Sequence, residues 1–229
     1  EAKMVNIDTD IHSDFKITAE QLEASITDKT KLFLFSSPCN PTGSVYSKSE
    51  LEALVKVFEK HPNVYIVADE IYEYINFSEK HCSIGSFESI SDRVITVNGF
   101  SKGFAMTGWR VGYIGAPLWL AKACAKMQGQ FTSGASSISQ KAAEAAIKAG
   151  ATATEEMKAA FAERRDLVIQ LLEEIPGLKV NRPKGAFYIF PDVQEFFGKS
   201  YNGEVIKNAD DLSMYLLKNA LVSVVTGSA

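Results

Sequence analysis

Residues 93–110, which read RVITVNGFSKGFAMTGWR, decide the predicted fold. The run from Arg93 to Val97 has the length and the β-branched content of a buried strand. The segment after it holds a single lysine, Lys102, among glycines and apolar residues. Such a lysine is either a surface residue with a buried stem or an amine placed to attack a carbonyl. Taken alone, Lys102 favours the surface interpretation, because strongly perturbed lysines are rare.

Two earlier segments repeat this arrangement of a strand followed by a loop with polar residues. Apolar runs at 31–35 and 64–68 lead into loops that carry Asn40 and Asp69. A capping box, Ser47 to Glu50, predicts the start of a helix between the two runs. This alternation predicts an α/β fold, with a mostly parallel sheet and helices on both faces. Ligands of such sheets bind beyond the carboxyl ends of the strands, so we expect the three loops to form one site.

The second half of the chain is predicted to be mainly helical and then to change character. Alanine-rich segments at 118–128 and 137–148 favour helix. A longer helix is predicted from Thr152 to the Pro176-Gly177 pair, and its expected apolar positions are Met157, Phe161, Val168, Leu171, Leu172 and Ile175. We expect residues 1–175 to be the C-terminal portion of a large domain and residues 176–229 to begin a small α+β domain.

Composition argues against several classes of partner. The chain has 229 residues and a net charge of −4, with no basic stripe that would bind nucleic acid. No apolar run approaches the ~18 residues of a membrane span, and no signal peptide opens the sequence. The cysteines (Cys39, Cys82 and Cys124) are odd in number and widely spaced, which indicates free thiols and a cytoplasmic location. With three histidines and no ligand spacing, we expect no metal site.

Each polar residue of the three loops also has an ordinary structural interpretation. Asn40 lies in a turn sequence, Tyr72 could be core packing, and Arg110 could be a surface cation. Asp69-Glu70 at a strand end could hold magnesium in a nucleotide site. That interpretation requires a GxxxxGK[ST] loop, which the sequence lacks.

Together, these residues suit a site for pyridoxal 5'-phosphate. Lys102 would form a Schiff base with the cofactor aldehyde, and Asp69 would pair with the protonated pyridine nitrogen. Asn40 and Tyr72 would donate hydrogen bonds to the phenolate oxygen of the ring. Arg110 would bind the phosphate as a bidentate partner that is always charged. We therefore expect residues 1–175 to belong to a cofactor-binding domain.

The same loops resemble the class I aminotransferases of the aspartate aminotransferase superfamily. The resemblance is carried by SSPCNPTG at 36–43, ADEIYE at 68–73, SKGFAMTGWRVGY at 101–113, and PKGAFY at 183–188, which is similar to a small-domain signature of the family. The bacterial aspartate aminotransferase group, whose relatives include prephenate aminotransferases, is the most similar branch. The resemblance implies fold type I, a homodimer, and ping-pong exchange of an amino group between an L-amino acid such as aspartate and a 2-oxo acid. It also implies that Lys102 moves the proton of the substrate α-carbon, with Asp69 and Tyr72 as further catalytic residues.

The sequence departs from the family in two ways. Family members are longer at both ends, so the chain is expected to be a fragment with weak cofactor binding and little turnover alone. Many members have a phosphate-binding serine where this chain has Gly99, and Ser101, beside the lysine, is a further candidate for that role.

The motifs describe the cofactor rather than the substrate, so two alternative functions stay open. One is another fold type I enzyme such as a C–S lyase, and the other is an inactive or regulatory module.

Overall fold

The computed structural model describes residues 2–201 and 203–229. Its strands are β1 (Leu32–Ser36), β2 (Tyr65–Asp69), β3 (Val94–Gly99), β4 (Gly112–Gly115), β5 (Ser200–Tyr201) and β6 (Glu204–Val205). Its α-helices are α1 (Ala19–Ser25), α2 (Lys48–Lys60), α3 (Leu118–Phe131), α4 (Ser137–Ala149), α5 (Thr152–Glu173) and α6 (Ala209–Tyr215).

The first four strands form one mixed sheet in the order β1-β2-β3-β4. Strands β1, β2 and β3 are parallel, whereas β4 is antiparallel to β3. Ser36 of β1 pairs with Asp69 of β2, and Asp69 pairs with Val97 of β3. The three parallel strands therefore end at the same edge of the sheet. The α/β class and the mostly parallel sheet predicted from the sequence are confirmed.

Helices α1 and α2 cover one face of this sheet and build the main core. Leu51, Leu54 and Phe58 of α2 are fully buried against Ile66 and Ala68 of β2. Both helices begin with a capping box of reciprocal side-chain and backbone hydrogen bonds, at Thr18 and Gln21 for α1 and at Ser47 and Glu50 for α2. The boxes satisfy amide groups that a helix start otherwise leaves unpaired.

The opposite face of the sheet is more open. Leu32 and Leu34 alternate with Phe33 along β1, and their side chains are 54% and 68% exposed. Tyr65, which pairs with Leu32, contacts the ring of Trp119 from α3 at 5.8 Å between centroids. This face therefore presents apolar side chains to solvent in the described part of the chain.

A short segment near residue 185 joins the C-terminal part to the loops of the sheet. The amides of Lys184 and Gly185 both donate to the carbonyl oxygen of Gly43, at 2.9 Å. The amide of Ala186 donates to the carbonyl oxygen of Ile75 at 2.8 Å. Among the described residues, no helix is long and apolar enough to cross a membrane.

Candidate active site

Three loops at the carboxyl edge of the sheet bring the sequence-predicted residues to one side of the molecule. They follow Ser36, Asp69 and Gly99, the last residues of the three parallel strands. The third loop is fixed by α4, because Ser139 Oγ donates to the carbonyl oxygen of Trp109 at 2.7 Å. Phe100 and Met106 of the same loop are buried with Ala143 of α4.

Lys102 is half-buried and lies near two aromatic rings. Its Nζ atom is 5.8 Å from the ring centroid of Tyr72 and 5.5 Å from that of Phe187. Both distances are within the ~6 Å range of a contact between a cation and an aromatic ring. The amine is thus held against Tyr72, as the expected site requires.

Asp69 lies at the end of β2 with its carboxylate only partly buried. Its Oδ1 atom accepts a hydrogen bond from the amide of Ile71 at 3.1 Å. Within residues 2–201 and 203–229, neither Asp69 nor Lys102 nor Arg110 forms an ion pair within 4.0 Å. One acidic and two basic groups are therefore available to a charged ligand at this edge.

The hydroxyl of Tyr72 is held in its neutral form. Burial raises the pKa of Tyr72 well above its ordinary value, and the hydrogen bond with Tyr188 adds to the shift. The two hydroxyl oxygens are 2.6 Å apart. The negative charge of Asp69 raises the same pKa further. Tyr72 can therefore donate a hydrogen bond throughout the physiological pH range.

The remaining predicted residues lie at the rim of this region. Arg110 is exposed, adopts a left-handed conformation with φ 51°, and donates from Nη1 to the carbonyl oxygen of Thr107 at 2.8 Å. Its other guanidinium nitrogen atoms can still bind an anion in the fork geometry that suits phosphate. Asn40 is exposed in its turn, and Ser101 is half-buried beside Lys102.

Two aromatic residues near Lys102 were missed by the sequence reasoning. Phe187 packs against Tyr72 with 5.4 Å between ring centroids, and Tyr188 forms the hydrogen bond described above. The PKGAFY segment resembles a small-domain signature, which does not by itself predict a role in the site. The contact between Tyr72 and Tyr188 joins residues 116 positions apart, so sequence spacing alone could not place it.

These groups fit the pyridoxal 5'-phosphate expected from the sequence. Asp69 offers a carboxylate to a ring nitrogen, Tyr72 offers a neutral hydroxyl, and Lys102 offers an amine next to it. Arg110 offers a guanidinium that forms no ion pair with any described residue. The donor set thus matches a ligand with a cationic ring, a carbonyl group and an anionic tail.

A second polar cluster lies close to this site. Glu70, Glu73 and His81 bring their ligand-type atoms within 4.8 Å of one another. Both carboxylate oxygens of Glu70 already accept hydrogen bonds, from His81 at 2.9 Å and from Ser83 at 2.8 Å. The cluster is therefore a hydrogen-bonded network within the protein.

Comparison with known proteins gives one consistent family. The family model described as aminotransferase class I and II matches residues 1–229. A bifunctional aspartate aminotransferase and glutamate/aspartate-prephenate aminotransferase of Petunia hybrida is 45% identical, over 100% of this chain and 49% of the relative. The aspartate aminotransferase of Rhizobium meliloti is 43% identical, over 100% of this chain and 57% of the relative. This chain thus spans about half the length of the curated relatives it matches.

Solved structures agree with the sequence relatives. The crystal structure of the aspartate aminotransferase from Rhizobium meliloti has a TM-score of 0.92 and 42% identity, and the match covers 96% of this chain and 56% of that one. An aromatic aminotransferase from Pyrococcus horikoshii has a TM-score of 0.89 and 38% identity, with 98% and 58% covered. Proteins named for different substrates therefore share this fold.

Proposed function

This chain belongs to the class I and II aminotransferase family, and from that premise we propose that it forms the cofactor-binding part of an aminotransferase. The enzyme would exchange an amino group between an L-amino acid and a 2-oxo acid in a ping-pong sequence. One observation carries the proposal. Asp69 ends β2, Lys102 and Arg110 lie on the loop that follows β3 at the same edge of the sheet, and none of the three forms an ion pair with any described residue.

Class I aminotransferases of this family use pyridoxal 5'-phosphate, whose ring accepts the electron pair left when the substrate α-carbon loses its proton. In our proposal Asp69 holds the ring nitrogen in its protonated form. Tyr72 and Asn40 donate hydrogen bonds to the phenolate oxygen, and Tyr72 can do so because burial keeps its hydroxyl neutral. Arg110, with Ser101 beside Lys102, binds the phosphate.

Lys102 has two roles in this proposal. Its Nζ atom first holds the cofactor, and after release it takes the proton from the substrate α-carbon as a general base. Its half-buried position near the rings of Tyr72 and Phe187 supports both roles, because the rings limit the positions that the amine can occupy. When the amine has few accessible positions, less entropy is lost on reaching the geometry in which the proton is transferred.

We propose aspartate, or a similar dicarboxylic amino acid, as the substrate. The names of the curated relatives, aspartate and aspartate/prephenate aminotransferases, support this choice.

We also propose that residues 1–175 are part of the cofactor-binding domain and that residues 176–229 begin a small domain. Exposed apolar side chains on α3, among them Leu118 and Phe131, support a homodimer. The free thiols of the three cysteines support a cytoplasmic location.

A stoichiometric half-reaction tests the function. The chain loaded with pyridoxal 5'-phosphate is mixed with aspartate, and cofactor absorbance and released oxo acid are measured. We expect the cofactor to become pyridoxamine 5'-phosphate with release of oxaloacetate, and added 2-oxoglutarate to reverse the absorbance change and yield glutamate. Formation of pyruvate and ammonia instead would indicate a lyase. Loading without any conversion in the presence of aspartate or other amino acids would exclude transamination by this chain.

A further inference from the structure

Glu70, the residue after Asp69, is a buried carboxylate held entirely by side chains of another segment. It is 3% exposed, and its two oxygens accept hydrogen bonds from His81 Nε2 at 2.9 Å and Ser83 Oγ at 2.8 Å. The side chain of His81 is only 13% exposed. A buried carboxylate is costly without such partners, so His81 and Ser83 hold Glu70 in one position.

The backbone of Glu70 is fixed as well. Its amide donates to the carbonyl oxygen of Val97 at 2.9 Å, which ties the turn to β3. Its carbonyl oxygen accepts from the amide of Glu73 at 2.9 Å, which closes the turn that contains Tyr72. Glu70 therefore lies between the two residues proposed to contact the ring of the cofactor, and it is anchored through backbone and side chain.

The cluster of Glu70, Glu73 and His81 also lies close to the lysine loop, which is the segment 100–111 that carries Lys102. Glu73 lies within 4.8 Å of Glu70 and His81, and its neighbour Tyr74 packs directly over Gly103. A Cβ atom at Gly103 would be 2.6 Å from the Tyr74 ring, so the backbone beside Lys102 approaches that ring as closely as a glycine permits. The position of residues 70–74 thus affects the lysine loop through direct packing.

We propose that His81 and Ser83, acting through Glu70, are positioning residues that hold Asp69 and Tyr72 in the geometry that binds the cofactor. The effect on cofactor binding rests on the proposed function, whereas the effect on the conformation of residues 69–73 can be measured without cofactor. Loss of the His81 hydrogen bond leaves a buried carboxylate oxygen unpaired, and the turn then relaxes to reach water. Asp69 and Tyr72 move with it, because they are its sequence neighbours.

The test compares His81→Ala with His81→Gln and with a matched control, His61→Ala. Glutamine can still donate from Nε2 to Glu70, whereas alanine cannot. His61 forms a similar contact, with Glu23 at 2.8 Å, but joins α1 to α2 away from the loops of the site. The His61→Ala variant therefore measures the effect of losing a histidine–glutamate contact that lies away from the site.

Hydrogen exchange of the chain without cofactor is the first measurement. The amides of Ile71 and Glu73, which donate within the turn, should exchange at least tenfold faster in His81→Ala than in the unsubstituted chain. The amides of β1 should change no more than in His61→Ala, and His81→Gln should restore protection at Ile71 and Glu73. An equal increase at the turn and at β1 would overturn the positioning role.

Cofactor affinity is the second measurement, followed by absorbance during titration with pyridoxal 5'-phosphate. We expect the Kd to rise about tenfold in His81→Ala, to return towards the unsubstituted value in His81→Gln, and to stay unchanged in His61→Ala. Equal affinity in His81→Ala and the unsubstituted chain would overturn the inference. If the unsubstituted chain does not bind the cofactor, the proposed function fails, and the exchange measurement still decides whether His81 positions the turn.

Discussion

Tyr72 shows how burial adapts a single side chain to the proposed chemistry. Its pKa is raised above the ordinary tyrosine value of 10, first by burial and then by the Tyr188 hydroxyl. The unfolded chain releases this proton near pH 10, whereas the folded chain retains it to higher pH. The contribution of Tyr72 to stability is therefore fully present below pH 10 and is lost as the pH rises beyond it.

Denaturant unfolding of the unsubstituted chain and of Tyr72→Phe measures this linkage. Between pH 8 and pH 10.5 we expect the stability advantage of the unsubstituted chain over Tyr72→Phe to fall by about 1 kcal/mol. Phenylalanine does not titrate, so the variant supplies its own baseline. A difference that stays constant over this range would show that Tyr72 ionises alike in both states.

At the residue scale, the sequence predicts which residues are candidates for the site better than it predicts which side chains contact them. Asp69 and Tyr72 at the end of β2, and Lys102 after β3, are predicted from the pattern of strands and loops, and the structure holds Lys102 near the Tyr72 ring. Phe187 and Tyr188 were not assigned to the site, because their contacts depend on how a distant segment packs on the loops. Such contacts have no local pattern in the sequence.

At the scale of elements, the loop between β3 and β4 contains two glycines with different surroundings. A Cβ atom at Gly103 would be 2.6 Å from the Tyr74 ring, whereas one at Gly108 would have no atom within 4 Å. We expect Gly103→Ala to destabilise the chain by about 1–3 kcal/mol, because the ring must move. Gly108→Ala should stay within about 0.5 kcal/mol of the unsubstituted chain.

Chemical denaturation of both glycine variants checks this prediction. The two substitutions add the same methyl group to the same loop, so the difference between them isolates the contact with Tyr74. Equal stabilities would mean that Tyr74 does not restrict the lysine loop. That result would also remove one step from the inference about Glu70.

Helix starts were predicted more reliably than helix faces. The capping box predicted at Ser47 is present, because its hydrogen bonds depend on residues only three positions apart. The long helix begins at Thr152 as predicted, but no side chain caps its first turn. The apolar positions expected for α5 are less buried than their spacing implies, since Val168 and Leu171 are 38% and 51% exposed. Ile175, also expected in this helix, lies beyond its end at Glu173. Periodicity shows which side of a helix is apolar, but what covers that side is a property of the tertiary structure.

At the scale of the whole molecule, close packing at Gly43 is among the contacts that join the C-terminal segment to the loops of the sheet. Gly43 has φ +68°, and a Cβ atom there would lie 2.4 Å from Pro183 and 2.8 Å from the carbonyl oxygen of Gly185. Gly198 has a similar φ of +84° but no atom within 4 Å of such a Cβ. Both positions strain an alanine backbone by about 1–2 kcal/mol, and only Gly43 adds a steric conflict.

We therefore expect Gly43→Ala to be less stable than Gly198→Ala by about 1–3 kcal/mol. Limited proteolysis should also cut the chain near residue 185 faster in Gly43→Ala, because the segment leaves its place against the loops. Thermal unfolding and digestion rates of the two variants provide the comparison. If the two variants behave alike, the segment does not depend on this contact for its position.

The α/β architecture of the molecule was largely predictable from the sequence. Alternating strands and helices gave the parallel sheet, and the antiparallel addition of β4 beside β3 has no clear signal in its sequence. The open face with Leu32 and Leu34 was not predicted, since a buried strand and a half-covered one have the same apolar composition.

Borohydride trapping tests the central claim, that Lys102 holds the cofactor. The chain is incubated with pyridoxal 5'-phosphate, reduced, digested and examined by mass spectrometry, alongside Lys102→Ala and a control, Lys141→Ala. Lys141 is an exposed residue of α4 whose Nζ donates to Glu144. The account predicts one phosphopyridoxyl group per chain on the peptide that contains Lys102, retained in Lys141→Ala and absent from Lys102→Ala. The same label in Lys102→Ala would contradict it.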